Sequence, residues 1–408
     1  MKLRSITWFI QPQLPFQPDQ LAAVEGGNQA ARRAYQQGGY EVQTTRLATT
    51  PFPTWMPSLQ PQQAFPLAQA MEKAAKTSGF DYLSLGPALP QHPRSYQLLP
   101  ELLAATQDVF FSGMMTTADD GISLTAVQAC AEVVQRVASI SPDGFANLRF
   151  ACLANVSADT PFFPAAYYDS REPAFALATE AADLAVEAVQ GAATLEEARN
   201  QLVISLEEHA QELTRIARRI EAQYQFRFCG IDFSLAPYPQ ASVSLGAAIE
   251  SLGVPAIGSH GSLAAAAFLA DALDRARFPK AGFSGLMFPV LEDSRLAQRM
   301  AHGGLGIKDL LLYAAVCGAG LDTIPLPGDT HAGQIAALLL DLTALAQRLN
   351  KPLTARLMPI PGKAAGDPTN FEFAYFANSR IPQLQAEPLT GLLAGSELFY
   401  LQKRQHGG

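Results

Sequence analysis

Short apolar runs alternate along this chain with longer stretches whose apolar positions recur at helical spacing. The first run, LRSITWFI (3–10), is β-branched and aromatic and predicts a strand. Residues 18–38 are Ala-rich with helical periodicity and stop at Gly38-Gly39, a good helix end. Further strands are predicted over 40–49, 80–89, 108–117, 148–156, 226–237, 284–293, 321–330 and 353–363. Helices are predicted over 65–78, 99–106, 123–140 with Ser123 as cap, 172–190, 194–224, 242–252, 262–274, 307–316 and 332–349. Thr194 and Glu197 form a T-x-x-E capping box. The Pro- and Gln-rich stretch 51–66 is expected to be irregular, and Phe162 to Tyr168 an aromatic loop.

Strand and helix in alternation give an α/β protein with a mostly parallel sheet. Nine strand segments are too many for a small doubly wound sheet. Closure removes exposed edges, so the expected fold is a large barrel of about ten strands surrounded by helices. No long low-complexity linker divides the chain. One barrel domain over 1–370 is expected, with a C-terminal extension over 371–408 packed on it or trailing from it.

The chain has 408 residues, 48% of them hydrophobic and 16% charged, enough for a substantial core. A net charge of -8, with no basic cluster, argues against a nucleic-acid partner. The N-terminus MKLRSITWFI lacks a small-residue cleavage site and reads as a strand, and no apolar window is long enough to span a bilayer. Cys130, Cys152, Cys229 and Cys317 are scattered without CxxC spacing, so reduced thiols in a cytoplasm are expected. The apolar surface of the helices over 172–224 suits either pairing with a second copy or covering the barrel.

In barrels and open parallel sheets, ligand-binding groups gather beyond the C-terminal strand ends. Polar residues stand at such ends in several segments: Asn155, Asp232 with Ser234, Glu292 with Asp293, Asp329 with Thr330, and Lys363 with Asp367. Convergence of these ends would set several carboxylates side by side, at a cost that a bound cation could offset. A divalent metal (Mg, Mn, Ca or Zn) held by Asp232, Glu292, Asp293 and Asp329 is one answer. The other is structural, because an acid after a strand is often a helix N-cap. Asp119 and Asp120, in TTADDGIS, divide in the same way between ligands and a turn.

The most specific local motif is GSHGS (258–262). Its glycines free the backbone, and Ser259 and Ser262 can cap the helix that follows, where free N–H groups favour an anion. His260 could act there as acid, base or ligand, or merely bond to backbone. Cys317, before a Gly-rich turn, is either a reactive thiol or a small buried hydrophobe. The serine-hydrolase, zincin, dinucleotide-binding and phosphate-loop signatures are absent.

The segments LRSIT, LANVSADTPFF (153–163), GIDFSLAPYP (230–239), AIGSHGS (256–262), GFSGLMFPVLED (282–293), VCGAGLDTIPLPGDT (316–330) and MPIPGKAAGD (358–367) together resemble a bacterial and archaeal family of unknown function, DUF711 or UPF0210. The resemblance spans nearly the whole chain. It implies a large α/β barrel related to the ten-stranded barrels of glycyl-radical enzymes, although no glycyl-radical segment stands near the C-terminus here. Residues matching the shared motifs are Asn155, Asp232, Ser234, His260, Glu292, Asp293, Cys317, Asp322, Asp329, Thr330, Lys363 and Asp367. Members often read THGT where this chain has Ser259-His260-Gly261-Ser262, so the hydroxyls are kept.

These readings lead to an enzyme acting on a small polar or anionic molecule by acid/base chemistry, metal-assisted or not. His260, Asp232 and Asp329 would be catalytic, and Asn155, Ser234, Ser259, Ser262, Thr330, Lys363 and Asp367 would bind substrate. The alternatives are a non-catalytic small-molecule binding protein, and thiol or radical chemistry at Cys317.

Overall fold

In the computed structural model, residues 1–56, 60–119 and 121–403 are described; Asp120 lies outside them. The strands are β1 (Lys2–Ile10), β2 (Val42–Thr49), β3 (Tyr82–Ala88), β4 (Val109–Met114), β5 (Ile122–Ser123), β6 (Phe150–Ala154), β7 (Ala174–Glu180), β8 (Arg227–Asp232), β9 (Gly320–Pro327), β10 (Leu353–Ile360) and β11 (Leu398–Phe399). The helices are α1 (Ala22–Gln37), α2 (Phe52–Trp55), α3 (Pro61–Thr77), α4 (Arg94–Ala105), α5 (Leu124–Ala138), α6 (Ala182–Gln190), α7 (Leu195–Tyr224), α8 (Leu245–Ser251), α9 (Ser262–Arg275), α10 (Ser294–Ala301), α11 (Ile307–Tyr313) and α12 (Ala332–Leu349). No helix among the described residues is long and apolar enough to cross a membrane.

Nine strands form one sheet in the order β8-β7-β1-β2-β3-β4-β6-β10-β9. Strands β1, β2, β3, β4 and β6 run parallel. The β7–β8 and β9–β10 pairs are also internally parallel, but β7 is antiparallel to β1 and β10 is antiparallel to β6. Six of the eight neighbouring pairs are parallel, as expected of a mostly parallel sheet, but the two antiparallel junctions divide it into sets running in opposite directions. The outermost strands are each linked to one segment by isolated bridges: Leu235, just past β8, pairs with Leu286, and Asp322 of β9 pairs with Pro289.

Other local expectations also change. The stretch 284–293 is not a strand; it makes those two bridges and ends in a 3-10 turn, Val290–Glu292. Gly285 and Pro289 weaken it as a ladder, since proline has no N–H to donate. The region expected to be helical from 172 contains β7, AFALATE, whose seven residues are all buried. The stretch 51–66 is more ordered than expected: it holds α2, and α3 starts at Pro61, a position where the missing N–H costs nothing.

Helices cover one face of the sheet. Leu3, Ile6, Trp8, Leu47, Leu83 and Val109 join Tyr35, Tyr96, Leu206 and Leu213 in the main core. On the other face, Phe9, Ala48, Phe110, Ala174 and Ala176 pack against Phe163, Ala166 and Tyr168 of the aromatic loop. Hydrogen bonds fix that loop: Thr7 donates to the Pro161 carbonyl (2.8 Å), and Ser84 donates to that of Ala166 (2.7 Å). The segment after β10 brings Phe371, Phe373 and Phe376 against Phe145.

Candidate functional site

A cavity of about 90 Å³ opens on the loop-covered face of the sheet. A single water needs at least ~10–15 Å³ of such space, so the cavity has room for a small molecule. Its polar wall is Arg4 of β1, Gln43, Thr44 and Arg46 of β2, Tyr82 of β3, Asp322 of β9, Arg356 of β10 and Glu292. Its apolar wall includes Phe110, Phe162, Phe163, Met287, Phe373 and Tyr375.

A chain of ion pairs crosses this wall. Arg356 binds Asp322 through two bonds, Nε to Oδ1 at 2.6 Å and Nη2 to Oδ2 at 3.0 Å. Its Nη2 also donates to Glu292 Oε1 at 2.6 Å. Arg4 links the other Glu292 oxygen to Glu180, donating to Glu180 Oε2 at 2.9 Å. Burial opposes the charge on Glu292, but Arg356 and Arg4 overcome it and hold its carboxyl below the usual range. Burial likewise works against Arg356, and Asp322 and Glu292 more than restore its charge.

Both network arginines sit at breaks in strand register. The β1–β7 pairing shifts between Leu3 and Ser5, on either side of Arg4. The β9–β10 pairing shifts between Ala355 and Leu357, on either side of Arg356. Thr323, beside Asp322, has a left-handed backbone (φ 44). Such bulge-like irregularities re-aim a side chain that regular alternation would send elsewhere.

Arg46 differs from the other two. It is only 7% exposed, yet among the described residues its guanidinium meets no carboxylate. Its Nε donates to Thr44 Oγ1 (2.9 Å). The guanidinium carbon lies 5.1 Å from the Phe163 ring centre and 5.8 Å from that of Tyr82. Burial, with Arg4 nearby, pushes Arg46 down to about 10. Beside it, Gln43 donates from Nε2 to Glu180 Oε2 at 2.8 Å. The Gln43 Oε1 is buried and accepts no hydrogen bond among the described residues.

Of the residues singled out from sequence, Glu292 and Asp322 reach this cavity. Asp232 is fully buried but occupied by its own surroundings: it accepts the N–H groups of Phe283 (2.7 Å) and Ser284 (2.9 Å) and the Ser234 hydroxyl. Burial raises its carboxyl to about 6. Asp293 caps α10 and also binds the Ser244 hydroxyl and Gly246 N–H. Ser262 ties the GSHGS turn, taking the Gly258 N–H and donating to the Ser259 carbonyl, while Ser259 and His260 are exposed.

Asn155 lies by a different cleft, its Oδ1 accepting from Gln347. Asp329 is exposed, Thr330 is buried, Lys363 is half-buried, and Asp367 caps the turn at Ala364. Cys317 is buried, and burial lifts its thiol above the ordinary range. Among the described residues, no three His, Cys, Asp or Glu side chains stand together where they could hold a metal ion. The proposed quartet is thus dispersed: Asp232 and Asp293 hold backbone, Glu292 binds two arginines, and Asp329 faces solvent.

Opposed strand sets also separate Asn155 from the residues that follow β8, β9 and β10. The end of β7 lies beside the start of β1, where Lys2 pairs with Glu180, and the end of β6 lies beside the start of β10, where Ala154 pairs with Leu353. Asn155 and Asp232 therefore close strands that point opposite ways. Sequence reading missed Arg4, Arg46, Arg356, Gln43 and Glu180. A usable signal was present: a lone arginine inside each of three otherwise apolar or neutral strands, LRSITWFI, TTRLAT and LTARLMPI.

Fold and site together define a mixed α/β domain with a small cavity walled by ion pairs and aromatic rings. The chain belongs to the family described as Uncharacterised ACR (DUF711), which matches residues 1–377. It is 32% identical to a UPF0210 protein of Pyrobaculum arsenaticum over 356 residues, 83% of this chain and 78% of the relative. A UPF0210 protein of Methanosarcina acetivorans is 30% identical over 351 residues, 82% of this chain and 75% of the relative. One from Clostridium botulinum is 29% identical over 363 residues, 84% and 80% respectively.

Proposed function

We propose that the protein is an enzyme acting on a small organic anion, which it binds in this cavity with Arg46 as the receptor for the negative charge. The observation that carries the reading is a buried guanidinium with no carboxylate partner among the described residues, at the wall of a cavity. An uncompensated buried charge costs several kcal/mol. Two aromatic faces return only about 0.5–2 kcal/mol each. A bound carboxylate or phosphate would supply the rest through paired, charge-assisted hydrogen bonds.

A cation is the weaker fit for the same cavity. Glu180, Glu292 and Asp322 are all engaged by Arg4 or Arg356. Acid/base work would fall to Tyr82, whose ring lies next to Arg46. We also propose that the segment from Leu286 to Pro289 joins the outer strands, closing the sheet into a ring around the cavity; its bridges to Leu235 and Asp322 support this.

Calorimetric titration with small carboxylates and inorganic phosphate tests the reading. Wild-type protein should bind at least one of them, and Arg46→Leu should abolish that binding with an unchanged or higher melting temperature. Unaltered binding by Arg46→Leu, or no binding of any small anion by wild type, overturns it.

A further inference from the structure

We infer that the anion is a carboxylate bearing an oxygen on its α-carbon, an α-oxo or α-hydroxy acid, and that the Tyr82 hydroxyl donates to that oxygen and so selects for it. This rests on the reading of Arg46 as the anion receptor and gives the same ligand a second anchoring point.

Arg46 and Tyr82 stand side by side on neighbouring strands. They are register partners in the parallel β2–β3 ladder, so their Cα atoms are about 4.8 Å apart and their side chains leave the same face of the sheet. Both line the cavity, and the guanidinium carbon lies 5.8 Å from the Tyr82 ring centre. The Arg46 guanidinium has one edge left. Its Nε is taken by Thr44 Oγ1, and the rings of Phe163 and Tyr82 flank it. Its two Nη atoms make no hydrogen bond among the described residues, yet neither is sealed from solvent. That edge presents paired N–H donors, which a carboxylate matches. A phosphate dianion would bring a second charge, for which this wall has no free cation among the described residues: Arg4 and Arg356 are committed to Glu180, Glu292 and Asp322.

The second point is the Tyr82 hydroxyl. Tyr82 is half-buried, and its hydroxyl has no hydrogen-bond partner among the described residues and keeps surface open to solvent. Burial pushes its pKa above the ordinary range against the opposing pull of Arg46, so the phenol keeps its proton at neutral pH and serves as a donor. The charge of Arg46 is felt at that oxygen, so the free donor of Tyr82 and the free edge of Arg46 act on one small space. A carboxylate on Arg46 with an oxygen on the next carbon offers Tyr82 an acceptor. An ammonium at that carbon offers none and stands beside a guanidinium, so an α-amino acid is disfavoured. Phe110, Phe162 and Met287 give the rest of the wall an apolar surface, which suits a short alkyl chain.

The test compares butyrate, α-hydroxybutyrate, α-oxobutyrate and α-aminobutyrate by calorimetry, with inorganic phosphate alongside. At least one of the α-hydroxy and α-oxo acids should bind wild type about tenfold or more tightly than butyrate, the effect of one well-made hydrogen bond. The α-amino acid should bind no more tightly than butyrate. Tyr82→Phe keeps the ring beside Arg46 and breaks no hydrogen bond among the described residues, so it should erase the preference. Equal binding of the acids by wild type, tightest binding of α-aminobutyrate, or a Tyr82→Phe variant that keeps the preference or weakens all acids alike overturns the inference and leaves the Arg46 reading standing. Binding of phosphate without any of the acids does the same. Failure of all four acids and of phosphate to bind overturns the Arg46 reading, and this inference with it.

Discussion

Asp232 illustrates how a reactive-looking residue can be fully spent on architecture. Its carboxylate holds the Phe283 and Ser284 amides, and burial raises its pKa to about 6. A raised acid pKa means that the native state keeps a proton the unfolded chain has already released. Stability should therefore fall as pH rises from about 4 to 6, by about 3 kcal/mol from this group alone, and then level off. Asp232→Asn should remove that component, so urea unfolding of both proteins from pH 4 to 7 isolates it; identical slopes would show that Asp232 stays charged throughout. The GSHGS motif has a related lesson. A Cβ on Gly258 would stand 1.8 Å from the Gly304 carbonyl oxygen, and φ there is +106. The need for glycine was readable in the sequence, but a close approach by ligand and one by the chain's own backbone leave the same mark.

At the level of elements, periodicity located most helices and strands, and α12 falls where it was expected, at Ala332–Leu349. It failed where composition and burial conflict. The strand β7 is AFALATE, and alanine favours helix in isolation, but every residue is buried between β1 and β8. Tertiary pairing overrode local preference there. Cap chemistry was the harder ambiguity, because an acid at a strand end fits both a helix cap and a ligand. Asp293 resolves as a cap: it accepts from Arg295, Leu296, Gly246 and Ser244 together. Asp293→Ala should cost about 2 kcal/mol for the lost cap, and a further ~1–3 kcal/mol for the donors left buried. Denaturant unfolding measures this, and a loss well below 1 kcal/mol would return Asp293 to the list of binding residues.

For the molecule as a whole, strand direction was the quantity the sequence hid. A hydrophobic run reads the same whichever way its strand points, so residues at successive strand ends seemed to share one site. The antiparallel junctions at β1–β7 and β6–β10 send Asn155 to the opposite end of the sheet from Asp232, Asp329 and Lys363, while the arginines within the strands build the cavity. Whether that cavity sits inside a closed ring depends on one short stretch. Gly285 accepts the Leu235 amide at 3.0 Å, and Leu286 accepts the Gly318 amide at 2.8 Å. The contact is close: a Cβ on Gly285 would lie 2.5 Å from the Gly318 Cα, which only glycine at both positions allows. If these bonds close the ring, the Leu235 and Gly318 amides should exchange hydrogen only through global unfolding, as slowly as amides in the central strands β2 and β3. If the outer strands remain open edges, both amides should exchange orders of magnitude faster, by local fraying. Gly285→Val makes the comparison decisive, because forcing the segment away should accelerate exchange at Leu235 and Gly318 before it affects β2. Rapid exchange at both amides in the wild-type protein would leave the nine strands an open sheet and the cavity a cleft on one of its faces.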